Sequence, residues 1–218
     1  MNKQVKKILQ RKGALAENEV KDLLQTYGIP TTQYAVVTTE KDLESLDLAY
    51  PVALKVCSSK ILHKTDVNGV KLNIQDKDEL RSIFKDFKQR FPKENLLVDQ
   101  MEEKGVEMIV GLVQDPTFGL TLMAGIGGIF TELYKDVSFR VVDIDRYDAE
   151  QMVEELKGKK LLENFRNMKA NKDLYIELLL KVSKLGLELM DHIDQMDLNP
   201  VFLYEDRLVV VDAKLILK

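Results

Sequence analysis

The stretch Pro51–Lys71, PVALKVCSSKILHKTDVNGVK, constrains this chain more than any other. It opens on a short apolar run, Val52–Val56, with one charge, Lys55, set inside it. A polar loop, Cys57–Gly69, follows and carries His63, one of the 2 histidines in the chain. Val70-Lys71-Leu72-Asn73-Ile74 then alternates apolar and polar positions as a strand does. Strand, polar loop, strand is an arrangement for holding something polar against a rigid sheet. A buried ammonium without a partner is costly, so Lys55 either meets an anion at the sheet's end or faces solvent from an edge strand.

The remaining composition narrows the anion. At 218 residues the chain forms one large or two small domains with a real core. A net charge of −4 argues against a nucleic-acid partner, which usually demands a basic excess. A local group of Lys and Arg can still bind phosphate on an acidic protein. The single cysteine, Cys57, excludes an internal disulfide and fits a reducing compartment. No apolar run approaches the roughly 20 residues of a membrane span. The basic start MNKQVKKILQRKG has no apolar core of the secretory kind. A cytoplasmic protein with no membrane and no nucleic-acid partner is expected.

Strands and helices alternate along the chain, which sets the class as α/β or α+β. Residues 2–12 read as a short helix stopped by Gly13. Leu15–Tyr27 reads as a clearer one, with Val20, Leu23, Leu24 and Tyr27 on one stripe and Gly28 and Pro30 ending it. Further helices are expected over Glu40–Leu48, Lys77–Phe91 (capped by Asp76), Asp148–Leu156 and Lys172–His192. Strands are expected at Gln33–Val37, Leu96–Gln100, Val106–Gln114, Gly119–Ala124 and Ser138–Val142, with a closing hairpin of Pro200–Tyr204 and Leu208–Asp212. The charged loop Asp99–Gly105 is the expected seam, giving subdomains at 1–98 and 99–218.

Four clusters could carry chemistry. Lys55 is the first. The second is Gly125, Gly127 and Gly128 followed by Thr131-Glu132: closely spaced glycines let backbone N–H groups approach phosphate, or simply form a tight turn. Neither a G-x-G-x-x-G nor a G-K-[ST] pattern is present. The third is Asp197-Leu198-Asn199-Pro200 with Val211-Asp212. A hairpin brings Asn199 and Asp212 onto neighbouring strands, either as a solvated end or as a few hard oxygen ligands suited to Mg²⁺. The fourth is His63, in a polar loop beside Lys64 and Asp66. Histidine can be a base, a metal ligand or a phosphoryl acceptor. No cysteine pair or second loop histidine supports a metal, and no G-x-S-x-G supports a serine triad, so acid–base work and phosphoryl acceptance remain.

With these clusters in view, the sequence resembles the β subunit of ADP-forming acyl-CoA synthetases, an ATP-grasp domain related to the β subunit of succinyl-CoA synthetase. The resemblance runs from Ala14 onward through EVKDLLQTYGIP, YPVALKV, ILHKTDVNGV, EMIVGLVQDPTFG, GIGGIFTELYKDVSFR, MDLNPV and VVDAKLIL. It implies an ATP-grasp fold, two α/β subdomains with the nucleotide held between them, and ATP/ADP and Mg²⁺ as ligands. It implies Lys55 on the nucleotide phosphates, Asp99, Gln100 and Met101 at an adenine-side hinge, and Glu107 and the glycines Gly127 and Gly128 near the nucleotide. Asn199 and Asp212 match the Mg²⁺ ligands with Asp197 adjacent, Arg140 fits a γ-phosphate contact, and His63 matches a histidine that carries a phosphoryl group in relay with the α subunit. A separate CoA-binding α subunit is therefore the expected partner, in a hetero-oligomer of α2β2 type, with helix Lys172–His192 a candidate contact surface.

Three positions depart from the family pattern. Asn68 stands where glycine is common, Ala49 replaces a glycine before Tyr50-Pro51, and Asp143 replaces a proline. Two other functions share the fold. A stand-alone ATP-grasp carboxylate–amine ligase makes its acyl phosphate in its own cleft and needs no histidine carrier. A non-catalytic nucleotide-binding module needs neither the histidine nor the full set of ligands.

Overall fold

The structure, a computed structural model, describes residues 5, 8, 10–128, 135–163 and 169–218. Its strands are β1 (Gly13–Ala14), β2 (Tyr34–Val37), β3 (Val52–Cys57), β4 (Val70–Ile74), β5 (Asn95–Gln100), β6 (Val106–Asp115), β7 (Gly119–Ile126), β8 (Val137–Val141), β9 (Ile193–Leu203), β10 (Leu208–Val210) and β11 (Ala213–Leu217). Its α-helices are α1 (Glu17–Thr26), α2 (Lys77–Arg90), α3 (Arg146–Glu154) and α4 (Lys172–Leu189). Of the helix expected over residues 2–12, Val5 and Ile8 are described and buried. Thr131 and Glu132, expected beside the glycines, lie outside the described residues. No helix among the described residues is long and apolar enough to cross a membrane.

The chain divides into two compact units: a smaller one of Ala14–Glu19 and Thr32–Glu103, and a larger one of Met1–Gly13, Val20–Thr31 and Lys104–Lys218. The last passage of the chain from one unit to the other falls inside Asp99–Gly105. Three earlier passages lie before residue 33.

In the smaller unit a four-stranded sheet runs in the order β2-β5-β3-β4, each pairing antiparallel. Val52, Leu54 and Val56 of β3 and Leu96 and Val98 of β5 share one face by the two-residue period of a strand. That face is covered by Leu80, Phe84 and Phe87 of α2. Asp76 starts α2 where expected, its carboxylate accepting from the N–H groups of Asp78 and Glu79 at 3.0 and 2.9 Å. The helix expected over Glu40–Leu48 shrinks to a 3₁₀ segment, Glu40–Ser45. Asp42 folds back there to accept from the N–H groups of Thr38 and Thr39, which tightens the entry into a single turn. The other face of β3 and β5 carries Ala53, Lys55, Leu97 and Asp99. Every residue of β3 is buried, so this second face is covered as well.

In the larger unit the sheet order is β1-β11-β9-β6-β7-β8, with β10 also on β9. β6 sits between β9 and β7 and is apolar at nearly every position, as a doubly covered strand must be. Helix α4 packs on this sheet through Gly186, where an added Cβ would lie 3.2 Å from both Leu112 methyls. The register then sorts every strand. Leu112, Leu122, Met196 and Arg140 lie in one cross-strand row on the helix-covered face. Gly111, Asp197 and Lys214 lie in a row on the opposite face.

The closing hairpin is longer than expected. β9 spans 11 residues and β11 adds a strand beyond Asp212. Pro200 lies within β9 because the β6–β9 register shifts between Met108 and Val110, opposite that point, and an irregular ladder tolerates the missing N–H. The Tyr50–Pro51, Val142–Asp143 and Asn199–Pro200 peptides are cis.

Candidate functional site

Lys55 finds its anion within the protein. Its ammonium donates to Glu17 Oε1 at 2.8 Å and to Asp99 Oδ2 at 2.7 Å. All three side chains are almost wholly buried, at 6%, 3% and 3% exposure. Lys55 and Asp99 meet because the β3–β5 register pairs Lys55 with Leu97, leaving Asp99 as the diagonal neighbour on the same face. The other Asp99 oxygen accepts from Thr32 Oγ1 at 2.5 Å. Segment Ala14–Glu19 lies over this face. Glu17 reaches Lys55, and Asn18 Oδ1 lies 3.1 Å from Cys57 Sγ. Burial, the largest influence, pushes the Cys57 thiol above its usual pKa.

The second oxygen of Glu17 is held by the Lys64 ammonium in an ion pair. Lys64 follows His63 directly and begins the turn that closes the polar loop. Gly69 N–H donates to Lys64 O at 2.7 Å, Asp66 N–H to His63 O at 3.2 Å and Val56 N–H to Gly69 O at 2.8 Å. Gly69 has no room for a side chain, since a Cβ would sit 3.0 Å from Lys64 O. Asn68 takes a left-handed conformation, φ 51, where its carbonyl accepts both terminal Arg90 nitrogens at 3.1 Å. Asparagine is one of the few side chains that enter this region readily. The departure from glycine therefore preserves the turn. His63 itself is exposed.

The expected hinge residues are engaged by the chain itself. Asp99 lies in the middle of the sheet, Gln100 N–H donates to Gln33 O at 2.8 Å and Met101 N–H to Pro51 O at 3.0 Å.

In the larger unit, Glu107 and the glycines come together although 20 residues separate them. The β6–β7 ladder pairs Met108 with Ile126, so Gly127 continues past Glu107 and donates its N–H to Glu107 O at 2.7 Å. A Cβ on Gly127 would lie 3.0 Å from the Glu107 carbonyl carbon, and one on Gly128 would lie 2.6 Å from Glu107 Oε2. Gly128 also has φ +67. Glycine is required at both positions by the approach to Glu107. Lys104 pairs with Glu107 Oε1 at 2.8 Å from the exposed side.

Asn199 and Asp212 are neighbours as expected: Asn199 N–H donates to Asp212 O at 3.1 Å. Asp197 lies on the face away from α4, opposite Lys214. Burial raises its carboxyl pKa, Lys214 opposes the shift and Asp212 adds to it. Arg140 is in different surroundings. On the helix-covered face it donates to Glu155 at 2.5 and 3.1 Å, and Ser138 Oγ donates to the same carboxylate. That carboxyl is held at about 2, chiefly by Arg140 and then by Ser138. The register thus groups Glu107 and Asp197 on one face and sets Arg140 on the other.

The donor chemistry fits a hard divalent cation. No group of three or more His, Cys, Asp or Glu side chains among the described residues forms a metal cage. Two oxygen donors, the Asn199 amide and the Asp212 carboxylate, suit Mg²⁺, which retains water and takes phosphate oxygens for its other positions. Nothing in the sequence singles out Glu17. An acidic residue in the first turn of a helix looks like an ordinary response to the helix dipole.

The two α/β units with their antiparallel sheets are those of an ATP-grasp fold. The chain belongs to the ATP-grasp domain family, whose model matches residues 7–217. It is 39% identical over 213 residues to subunit beta of acetate–CoA ligase [ADP-forming] I from Pyrococcus furiosus, covering 93% of this chain and 91% of that subunit. It is 41% identical over 204 residues to acetate–CoA ligase [ADP-forming] II from Archaeoglobus fulgidus, covering 93% of this chain but only 30% of that longer protein. Among solved structures it resembles dinucleotide forming acetyl-coenzyme A synthetase 1 from Ca. Korarchaeum cryptofilum, with a TM-score of 0.83, 39% identity and coverage of 97% and 96% of the two chains. That structure holds coenzyme A and Mg-AMPPCP, with its phosphohistidine segment pointing towards the nucleotide binding site.

Proposed function

We propose that this chain is the nucleotide-binding β subunit of an ADP-forming acyl-CoA synthetase. It works with a CoA-binding α subunit in the reaction acyl-CoA + ADP + phosphate ⇌ carboxylic acid + CoA + ATP. The observation that carries this reading is the setting of His63: an exposed imidazole on a turn whose next residue, Lys64, is tied into a buried ion-pair network. A relative whose structure contains a phosphohistidine segment supports it. A ligase that completes its chemistry at one site has no use for such a residue.

In this reading a His63 ring nitrogen attacks the γ-phosphorus of ATP. An N–P bond forms as the P–O bond to ADP breaks, and ADP leaves with the electron pair. In the ATP-forming direction ADP attacks phospho-His63 and the imidazole leaves. The α subunit makes or consumes the acyl phosphate, so the carrier exchanges its phosphoryl group there. Glu107 and the Gly127-Gly128 turn line the nucleotide, the Gly127 N–H being held by the Glu107 carbonyl. Asn199 and Asp212 hold Mg²⁺, which offsets charge on the transferring phosphoryl group when bound. Asp197 adds negative charge beside them.

Lys55, held between Glu17 and Asp99, anchors segment Ala14–Glu19 onto β3. Asp99, Gln100 and Met101 support the adenine side through the strand end they build. Arg140 fixes α3 through Glu155. A cytoplasmic, α2β2-type assembly accords with this role.

The test is incubation of the purified chain, alone and with its α subunit, with γ-labelled ATP and Mg²⁺. Acid-labile, base-stable label on His63 is expected, absent from His63→Asn. Unchanged acyl-CoA-dependent ATP synthesis by the assembled His63→Asn enzyme overturns the proposal.

A further inference from the structure

One carboxylate joins the two halves of the Pro51–Lys71 stretch. Glu17 gives one oxygen to Lys55, in the rigid strand β3, and the other to Lys64, the residue after His63. The side chains are 3%, 6% and 12% exposed, so these pairs are shielded from solvent. At its far end the His63 turn is tied separately: Val56 N–H donates to Gly69 O and Arg90 holds the Asn68 carbonyl, while the Asp66, Asn68 and Gly69 N–H groups bond within residues 63–69. The end that carries the histidine is held to the sheet through Lys64.

We propose that Glu17 is a positioning residue that latches the His63 turn, through Lys64, onto the strand carrying Lys55. Closure of the latch sets the imidazole for exchange with the nucleotide, and release of Lys64 frees the turn for the α subunit. The proposal rests on the reading of His63 as a phosphoryl carrier. Glu17 never touches the phosphoryl group; its influence passes through Lys64. A fixed attacking nitrogen is what such a step requires, and a shift near 1 Å is worth on the order of a hundredfold in rate.

The latch is tested with Glu17→Gln, Lys64→Met and the double variant, in the chain assembled with its α subunit. Lys64→Met removes the pair from the loop side and leaves the β3 partners in place, so it folds even if Glu17→Gln does not. Two measurements separate the latch from the relay.

Hydrogen exchange needs no chemistry at His63. Amides of residues 63–66, at the tethered end, should exchange at least about tenfold faster in each single variant, while those of Asn68, Gly69 and β5 keep their wild-type rates. Unchanged exchange at 63–66 in Lys64→Met overturns the latch, even if His63 is phosphorylated normally. Absence of phospho-His63 in the wild type, with faster exchange in the variants, overturns the carrier reading instead.

The second measurement is the rate of acid-labile phosphorylation by ATP–Mg²⁺. Each single variant should slow it by about tenfold, the double no more than the slower single, since both remove the same link. Calorimetric affinity for ATP–Mg²⁺ should stay within about twofold of wild type, and Glu17→Asp should recover part of the rate. If Lys64 instead acted on phosphate by its own charge, Lys64→Met would weaken nucleotide binding and Glu17→Gln would not. That outcome, or additive effects in the double variant, overturns the proposal.

Discussion

Replacing Lys55 by methionine separates a structural ammonium from a ligand-binding one. Methionine keeps the apolar stem and removes the charge, leaving Glu17 and Asp99 facing each other at 3% exposure each. Breaking a buried pair by removing one partner costs about 3–5 kcal/mol, because the stranded charge has lost its water as well. Two contacts soften this: Glu17 keeps Lys64, and Asp99 keeps the Thr32 hydroxyl. The expected loss is therefore at the low end, about 3 kcal/mol, a large share of the roughly 5–15 kcal/mol that holds a domain together. In urea, with a slope near 2 kcal/mol/M, the midpoint falls by about 1.5 M. Circular dichroism at neutral pH measures it. Lys55→Met with Asp99→Asn should be more stable than Lys55→Met alone, since one stranded charge is then gone. If Lys55→Met kept its stability within about 0.5 kcal/mol, the range of an ordinary surface change, while losing nucleotide affinity, Lys55 would be a phosphate ligand and the buried-network argument would be wrong.

Two further substitutions probe the larger unit. Gly128→Ala forces a left-handed alanine, at about 1–2 kcal/mol, and pushes Glu107 Oε2 away from a Cβ 2.6 Å distant; a lower melting temperature and weaker ATP–Mg²⁺ binding are both expected, and loss of neither refutes the packing. Arg140→Met tests the Glu155 pair. A carboxyl depressed to about 2 contributes stability that is present above its unfolded pKa near 4.3 and is lost as pH falls through about 2. At 29% and 49% exposure solvent limits this to at most about 1 kcal/mol, so the gap between wild type and variant should close over that window in acid titrations; a gap independent of pH contradicts the assignment.

Most strands were legible because an apolar run of five or six residues leaves few alternatives, as at Val52–Val56 and Leu96–Gln100. The ends of the hairpin were less so. β9 contains Asp194, Asp197, Asn199 and Pro200, a composition that reads as a turn, and only the shifted register opposite Met108 lets it continue as a strand. β11 lies beyond Asp212 for the same reason: the break at Val211-Asp212 looks like an ending until Asn199 is seen to bond across it. For the site, the sequence states needs rather than partners. Lys55 in an apolar run demands an anion, but its carboxylates lie 38 and 44 residues away, and the face that joins them is a matter of register. The glycine turn likewise offers an open backbone, while its packing on Glu107 follows from a β6–β7 pairing that no local pattern encodes.

Asn68 shows how a departure from a family pattern can carry information. A non-glycine there suggests a stiffer loop than a carrier histidine needs. The left-handed φ of 51 and the two Arg90 contacts to its carbonyl instead indicate a turn that keeps its shape. The bonds from Asn68 N–H to Thr65 O at 3.0 Å and from Gly69 N–H to Lys64 O at 2.7 Å make residues 64–69 a closed unit. Motion of His63 should then be movement of that unit about its ends, with one tether at Lys64–Glu17 and one at Asn68–Arg90, rather than unravelling. Hydrogen exchange before and after phosphorylation of His63 distinguishes the two. Protection at the Asn68 and Gly69 amides should persist while Lys64 leaves Glu17; loss of protection at both amides on phosphorylation would mean that the turn melts to deliver its phosphoryl group.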